Sequence, residues 1–297
     1  MQITHSQKLD KILQQSPPKL LFHYTSPAAF LGIVQNKQIW ASNTRYLNDL
    51  KEIEFAVDIS KGVIENLLGE NSLPDEEQEL LKEMNGWSGS AARRVYIFSM
   101  TEERDLLSQW RAYCPKSGGY SIGFPSIQLQ LMATRQNFFL SSCVYDNDEQ
   151  YQIISEIINS FLQIYRGKIN LGKLIDEARK ETVYEFAQHL GLFGGILKHP
   201  SFKEEKEWRL LSAYIDERHP QVDFRVGANG IVPFFKFNLV DEEHSDLTRM
   251  KENKGGFVTI VGPTRDSFAS QMAVQFALTK YLGGAWNGCS NIPYNTY

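Results

Sequence analysis

Cysteine is scarce in this 297-residue chain, where Cys114, Cys143 and Cys289 stand far apart and no CxxC pair occurs. So odd and scattered a set argues against a disulfide framework, and the six histidines show no HxxxH spacing, so no metal site is expected. Apolar runs long enough to span a bilayer are missing, and no membrane association is expected. The opening stretch MQITHSQKLDKILQQSPPKL lacks the basic start, apolar middle and small-residue cleavage site of a signal peptide, which predicts a cytoplasmic protein. Excess charge of one sign is missing too. Lys and Arg number 31 against 35 Asp and Glu, a formal charge of −4, which argues against a strongly basic non-specific nucleic-acid binder. What is present, 42% hydrophobic and 22% charged residues, suffices for a substantial core, and a single domain over 1–297 is expected.

Periodicity divides the chain. Ile3 to Gln15 has the pattern of a short amphipathic helix ended by Pro17-Pro18, a peripheral arm over 1–18. Leu20 to Thr25, an apolar run interrupted by His23, reads as a strand. Ser26-Pro27 suits an N-cap and first helical position, giving a helix to about Gln35 and a second strand over Gln38 to Ser42. Asp49 to Asn66 reads as a helix, and the polar stretch Glu70 to Ser90 as a surface loop or irregular helical link. Val95 to Met100 is a strand, followed by a helix with Thr101 as N-cap, and Tyr120 to Phe124 is a strand with Asn137 to Tyr145 pairing beside it. Short connections favour antiparallel neighbours. From 149 to 198 the apolar period turns helical and predicts a helical insertion. A hairpin around Gly227 to Gly230, a strand over Phe257 to Val261, a helix over Ser267 to Tyr281 and a tail without helical period complete the chain. The fold class expected is α+β, with mixed, mainly antiparallel sheets.

The most informative stretch is KEEKEWRLLS, Lys203 to Ser212, in which charge crowds round Trp208 just before a buried run. In strand alternation Glu205, Glu207 and Arg209 share one face and Lys206 and Trp208 the other. Such a face is either a surface ion-pair network feeding a core strand or the lining of a cleft, where a carboxylate stabilises a cationic transition state. His23 in its apolar strand is read as a satisfied core histidine unless other residues join it, and Trp40, Trp110 and Trp208 as core aromatics.

In order, LFHYTS, IWAS, LNDLKE, YIFSM, SQWRAY, GGYSIGF, KEEKEWRLLS, VGP and SNIPY resemble a bacterial family known as domain of unknown function 2971, along nearly the whole chain. That pattern implies an arginine after the final Pro-Tyr, where Asn295 stands. HYTS with IVQNKQIWAS, the serine-ended middle strand and the late Glu-x-Glu also resemble the ADP-ribosyltransferase-like superfamily. DNA-modifying ADP-ribosyltransferase toxins and tRNA 2′-phosphotransferases are the members it is most similar to. The resemblance implies an ADP-ribosyltransferase-like core, NAD as substrate, His23 on the ribose, Ser99 at the middle position, Glu207 as catalytic carboxylate and Glu205 as first of the pair. Tyr24 and Thr25, beside His23, and Tyr120 join the cofactor-binding set. Which of Tyr96, Tyr113 and Tyr120 stacks on nicotinamide stays open.

The chemistry is consistent with that resemblance. Breaking the nicotinamide–ribose bond builds an oxocarbenium-like cation, which Glu207 would stabilise, while Arg209 and Arg225 would grip pyrophosphate in bidentate fashion. For Arg209 an ion pair with Glu205 or Glu207 is the competing role. Asn48, Asp49 and Glu52, with Trp40 and Trp110, form a candidate rim. The function expected is ADP-ribosyl transfer to a nucleic acid or protein, or NAD cleavage, in a toxin or phage-defence effector with an inhibitory or activating partner protein. Two alternatives stand: a metal-dependent nuclease using Glu204-Glu205-Lys206 with Asp49 or Asp105, and a non-catalytic sensor binding a ligand or partner in the same cleft.

Overall fold

One strand, β3 (Tyr96–Thr101), carries the branch point of the sheet. Along one edge it pairs with β6 (Glu207–Ser212) in five consecutive antiparallel positions, from Ile97 opposite Leu211 to Thr101 opposite Glu207. Its other edge is shared: β2 (Gln38–Asn43) takes the start, opposite Tyr96 and Ile97, and β1 (Leu20–Thr25) touches only the end, with Phe22 opposite Thr101. Strands β1 and β2 therefore diverge along β3 and leave a cleft between them. The computed structural model describes residues 5–46, 51–70, 72–86, 94–227, 230–240 and 256–293.

The sheet grows outward from this fork. β4 (Tyr120–Pro125), β9 (Val258–Val261) and β10 (Trp286–Cys289) extend it beyond β1, and β8 (Gly230–Asn238) and β7 (Val222–Gly227) beyond β2, while β5 (Phe138–Ser142) lies against β6. All these pairings are antiparallel except β9 with β10. The class is α+β, with a mixed, mostly antiparallel sheet.

Helices cover both faces. α1 (Gln7–Leu13), α3 (Lys51–Gly69), α4 (Asp75–Asn85), α7 (Asn147–Asn170) and α8 (Ile175–Phe193) bury Leu9, Ile64, Leu80, Ile157, Phe161 and Phe186 in one apolar cluster, which meets the sheet at Ile97 and Leu211. On the opposite face α2 (Pro27–Asn36), α6 (Ser126–Arg135) and α9 (Ser267–Leu282) pack Phe30, Leu129 and Leu278 over Phe98, Phe124, Trp208, Leu210 and Phe235. The short α5 (Leu107–Tyr113) lies beyond the end of β3. α2 begins where its sequence says: the Ser26 hydroxyl accepts from the Ala29 amide at 3.3 Å, Pro27 supplies a pre-set φ, and Lys37 closes the helix with φ 52°.

Three expectations require correction. The stretch over 70–90, read as a surface loop or irregular helical link, holds the regular helix α4, whose Leu80, Leu81 and Met84 enter the core and whose buried Glu77 takes both Nε and Nη2 of Arg166 at 2.7 Å. Thr101 ends β3 instead of capping a helix, and its hydroxyl donates to the Glu205 carbonyl at 2.5 Å. β5 pairs with β6, not with the Tyr120 strand. The tail, read as lacking a helical period, indeed holds no helix among its described residues and contributes β10, parallel to β9 because α9 carries the chain back across the face. Helix α6 lies where the sequence reading placed no element.

Candidate functional site

The face of β3 and β6 turned toward α3, α7 and α8 changes character within two steps. Its cross-strand pairs are Ile97–Leu211, Ser99–Arg209 and Thr101–Glu207. The first belongs to the apolar core, and the next two bring a guanidinium and a carboxylate to the fork where β1 and β2 part. A cleft of about 580 Å³ opens there, lined among others by His23, Thr25, Trp40, Ser99, Glu207 and Arg225. That volume falls in the range of small-molecule and cofactor sites. A smaller cavity adjoins it, sharing His23, Ser99, Tyr113 and Glu207 and adding Tyr24, Thr101 and Glu205.

Four buried or half-buried charges meet at the floor. Glu207 receives Arg209 Nε on Oε1 at 2.6 Å and Lys198 Nζ on Oε2, and the same ammonium reaches Glu205 Oε2 at 2.6 Å. Arg209 also donates from Nη1 to the Gly195 carbonyl at 2.6 Å. Burial disfavours the charged form of Glu207, but Arg209 and Lys198 outweigh it and hold the carboxyl down at about 2, so it is an anion at neutral pH. Burial pushes the Glu205 carboxyl up, against the pull of Lys198. Burial also works against the Lys198 charge, and Glu207 more than restores it, so its ammonium titrates above the ordinary lysine range.

The predicted alternation holds for Glu207 and Arg209. Glu205 reaches the group differently. It closes a 3-10 turn, Pro200–Glu205, after which Lys206 reverses the chain at φ 42° and β6 begins at Glu207. Lys198 was not anticipated. Its backbone is pinned by a parallel bridge between Val144 and Leu197, by its amide to the Val144 carbonyl at 3.0 Å, and by buried Gln150, which donates to its carbonyl at 2.8 Å. The sequence signal was faint: a lysine before His-Pro, five residues after the end of α8 with Gly194-Gly195 between, reads as a solvated helix end.

His23 bridges the fork. Its Nδ1 lies 3.0 Å from the Ser99 carbonyl oxygen, on an edge of β3 where no described strand pairs, and its ring lies 4.3 Å from that of Phe98. A carbonyl only accepts, so Nδ1 carries the proton and a neutral ring presents the Nε2 lone pair as an acceptor. Burial lowers the imidazole to about 4 despite the Ser99 bond, so the ring is uncharged at neutral pH.

The other predicted site residues divide. Thr25, Trp40 and Arg225 line the cleft. Arg225 donates to the Ser42 hydroxyl at 3.2 Å, and Trp40, 47% exposed, stacks on Phe234 at 4.3 Å. Tyr24 is buried against Trp110, and its hydroxyl donates to the Glu103 carbonyl and accepts from the Leu106 amide, both at 2.8 Å. Trp110 sits in that small apolar cluster with Ile260, its indole on Asp105 at 2.7 Å, and Tyr120 packs against Phe30. Asn48, Asp49, Asn295 and the side chain of Glu52 lie outside the described residues. Of the acidic set considered for a nuclease, Glu204 is exposed, Lys206 pairs with Glu103 at 2.5 Å, and Asp105 is held by Trp110, Ser290 and the Asn291 amide. Among the described residues no group of three or more His, Cys, Asp and Glu is disposed to hold a metal ion, and no helix is long and apolar enough to cross a membrane.

Comparison with curated proteins and with solved structures found no match. The matching family model covers residues 109–210, a segment that runs from α5 to β6 and contains Lys198, Glu205, Glu207 and Arg209 but not His23 or Ser99. Through that segment the chain resembles the family described as protein of unknown function (DUF2971), which supports the first of the two resemblances read from the sequence.

Proposed function

We propose that this chain binds NAD in the cleft between β1 and β2, cleaves the nicotinamide–ribose bond, and passes ADP-ribose to a nucleic acid, a protein or water. The observation that carries the reading is the meeting of His23, Ser99 and Glu207, from three separate strands, in one cleft of about 580 Å³. Glu207 brings an ionised carboxylate to a buried place, held by Arg209 and Lys198, beside which a ribosyl cation would develop. The neutral His23 ring offers an acceptor to a ribose hydroxyl, and Arg225 on the β7–β8 hairpin offers a guanidinium to phosphate oxygens. Exposed Trp40, stacked on Phe234, gives an aromatic face at the cleft mouth. An ADP-ribosyltransferase-like core is part of the same proposal, as is service as a toxin or defence effector under a partner's restraint.

The acceptor is found by incubating the full chain with NAD labelled in its adenylate phosphate, alone and with DNA, RNA or cell lysate. Label on a macromolecule identifies transfer to that class. Free labelled ADP-ribose alone identifies hydrolysis, and unchanged NAD in every mixture removes the reading.

A further inference from the structure

Lys198 was given no part in binding or turnover above, yet it is as buried as Arg209 and held from several sides. Its side chain is 3% exposed and its ammonium joins Glu205 to Glu207. Both backbone polar groups are engaged, by Val144 and by Gln150 of α7, and the ammonium lies 5.1 Å above the Phe202 ring. Burying ions costs several kcal/mol each, so a buried ion-pair network is weak evidence of a stabilising device. The network is placed at the fork of the sheet, on the cleft wall, and Lys198 and Glu207 both line that cleft.

The two carboxylates are not equivalent in this arrangement. Glu207 has one cation on each oxygen, so its plane is set by Arg209 along the same strand and by Lys198 from across. Arg209 alone would leave Oε2 without this restraint. Glu205 comes from a turn and pairs with Lys198, the cation it shares with Glu207. Without the ammonium, two carboxylates would face one guanidinium. The groups around Lys198 are Glu205, Glu207 and Arg209, with Tyr145, whose hydroxyl accepts from the Glu207 amide at 2.9 Å, and Cys143, whose amide donates to the Glu207 carbonyl at 2.9 Å.

We propose that Lys198 is a positioning residue of the cleft: holding one oxygen of Glu207 while gripping Glu205, it fixes the direction of the Glu207 carboxylate and keeps it ionised. Its part in turnover rests on the NAD reading, whereas its hold on Glu207 does not. A compact ammonium suits a place between two carboxylates, and a planar guanidinium there would have to move one of them.

The test is a carboxyl titration by carbon-13 NMR of the full chain labelled at glutamate, with Glu207 assigned through Glu207→Gln. Wild type is compared with Lys198→Met, with Lys198→Arg, and with Lys198→Gln should the methionine variant not fold. Losing a neighbouring opposite charge raises a carboxyl by ~1–3 units, so Glu207 should protonate that much higher in Lys198→Met and return toward wild type in Lys198→Arg. An unchanged Glu207 titration in the uncharged variants overturns the proposal whatever the activity. Nicotinamide release supplies the second readout. Lys198→Met should lower kcat on the order of 10- to 10²-fold and give its rate an acidic limb absent from wild type. Absence of release from wild type would remove the NAD reading and leave the titration to decide on Lys198.

Discussion

Arg209 on β6 stands directly opposite Ser99 on β3, one alternate position from Leu211 opposite Ile97, so a buried guanidinium lies next to the apolar core. Its Nε is on Glu207 and its Nη1 on the Gly195 carbonyl. Replacing it with methionine keeps the volume but leaves the Glu207 charge with Lys198 only. Breaking a buried pair from one side costs ~3–5 kcal/mol. Urea unfolding of Arg209→Met should show a loss of that order, and a loss below about 1 kcal/mol would mean that solvent reaches the pair freely.

Two imidazoles make the fold sensitive to acid. Burial lowers His23 to about 4 and His189, which faces His5 with ring centroids 5.1 Å apart, to about 3, from an ordinary 6.5. The unfolded chain therefore takes up protons first as pH falls, and stability present above about 6.5 is lost progressively toward pH 4 and below. At 1.36 kcal/mol per unit the effect is on the order of 3–4 kcal/mol for His23. Denaturant midpoints between pH 7 and pH 4.5 should fall, and His23→Phe should fall less steeply than wild type.

The same substitution separates packing from recognition. A phenyl ring keeps the contact with Phe98 but removes the donor to the Ser99 carbonyl and the acceptor at Nε2. A lost partner for a buried carbonyl costs ~1–3 kcal/mol. Calorimetry with NAD or ADP-ribose should show affinity weakened by about tenfold, one ordinary hydrogen bond. Equal affinity would take His23 out of the binding set.

Trp110 has a structural duty that glycine makes visible. A Cβ on Gly262 would lie 2.6 Å from the Trp110 ring and 3.0 Å from the Gly119 carbonyl oxygen, where neither neighbour has room to give. Gly262→Ala should destabilise by ~1–3 kcal/mol, as overpacking does, and alter the tryptophan fluorescence. Gly32→Ala is the control, since nothing lies within 4 Å of its added carbon.

Local pattern made much of the fold legible. The strands at Leu20, Gln38, Tyr96 and Tyr120, the capped α2 and the long helices α7 and α8 all follow their period, because each buries one face against the sheet. Helix α4 was hidden by its charge: Asp75, Glu76 and Glu77 dominate the composition, while Leu80, Leu81 and Met84 carry the burial. The partner of β5 was misread because strand choice is a long-range matter, decided here by β6 occupying the free edge beside it. In the site, Glu207 and Arg209 were visible as alternation on a strand. The fork that brings His23 to Ser99 was not, since sequence carries no sign that β1 and β2 share one edge of β3. Lys198 was missed for a related reason: only the folded turn of Pro200–Glu205 brings its ammonium between two acids that follow it in sequence.

The most direct measurement is nicotinamide release from NAD by the purified full chain and by Glu207→Gln, each with and without nucleic acid or cell lysate. Release by wild type, reduced on the order of 10²- to 10³-fold in Glu207→Gln, is the expected result. Equal release by both proteins, or none from wild type under any of these conditions, would contradict the assignment of the cleft.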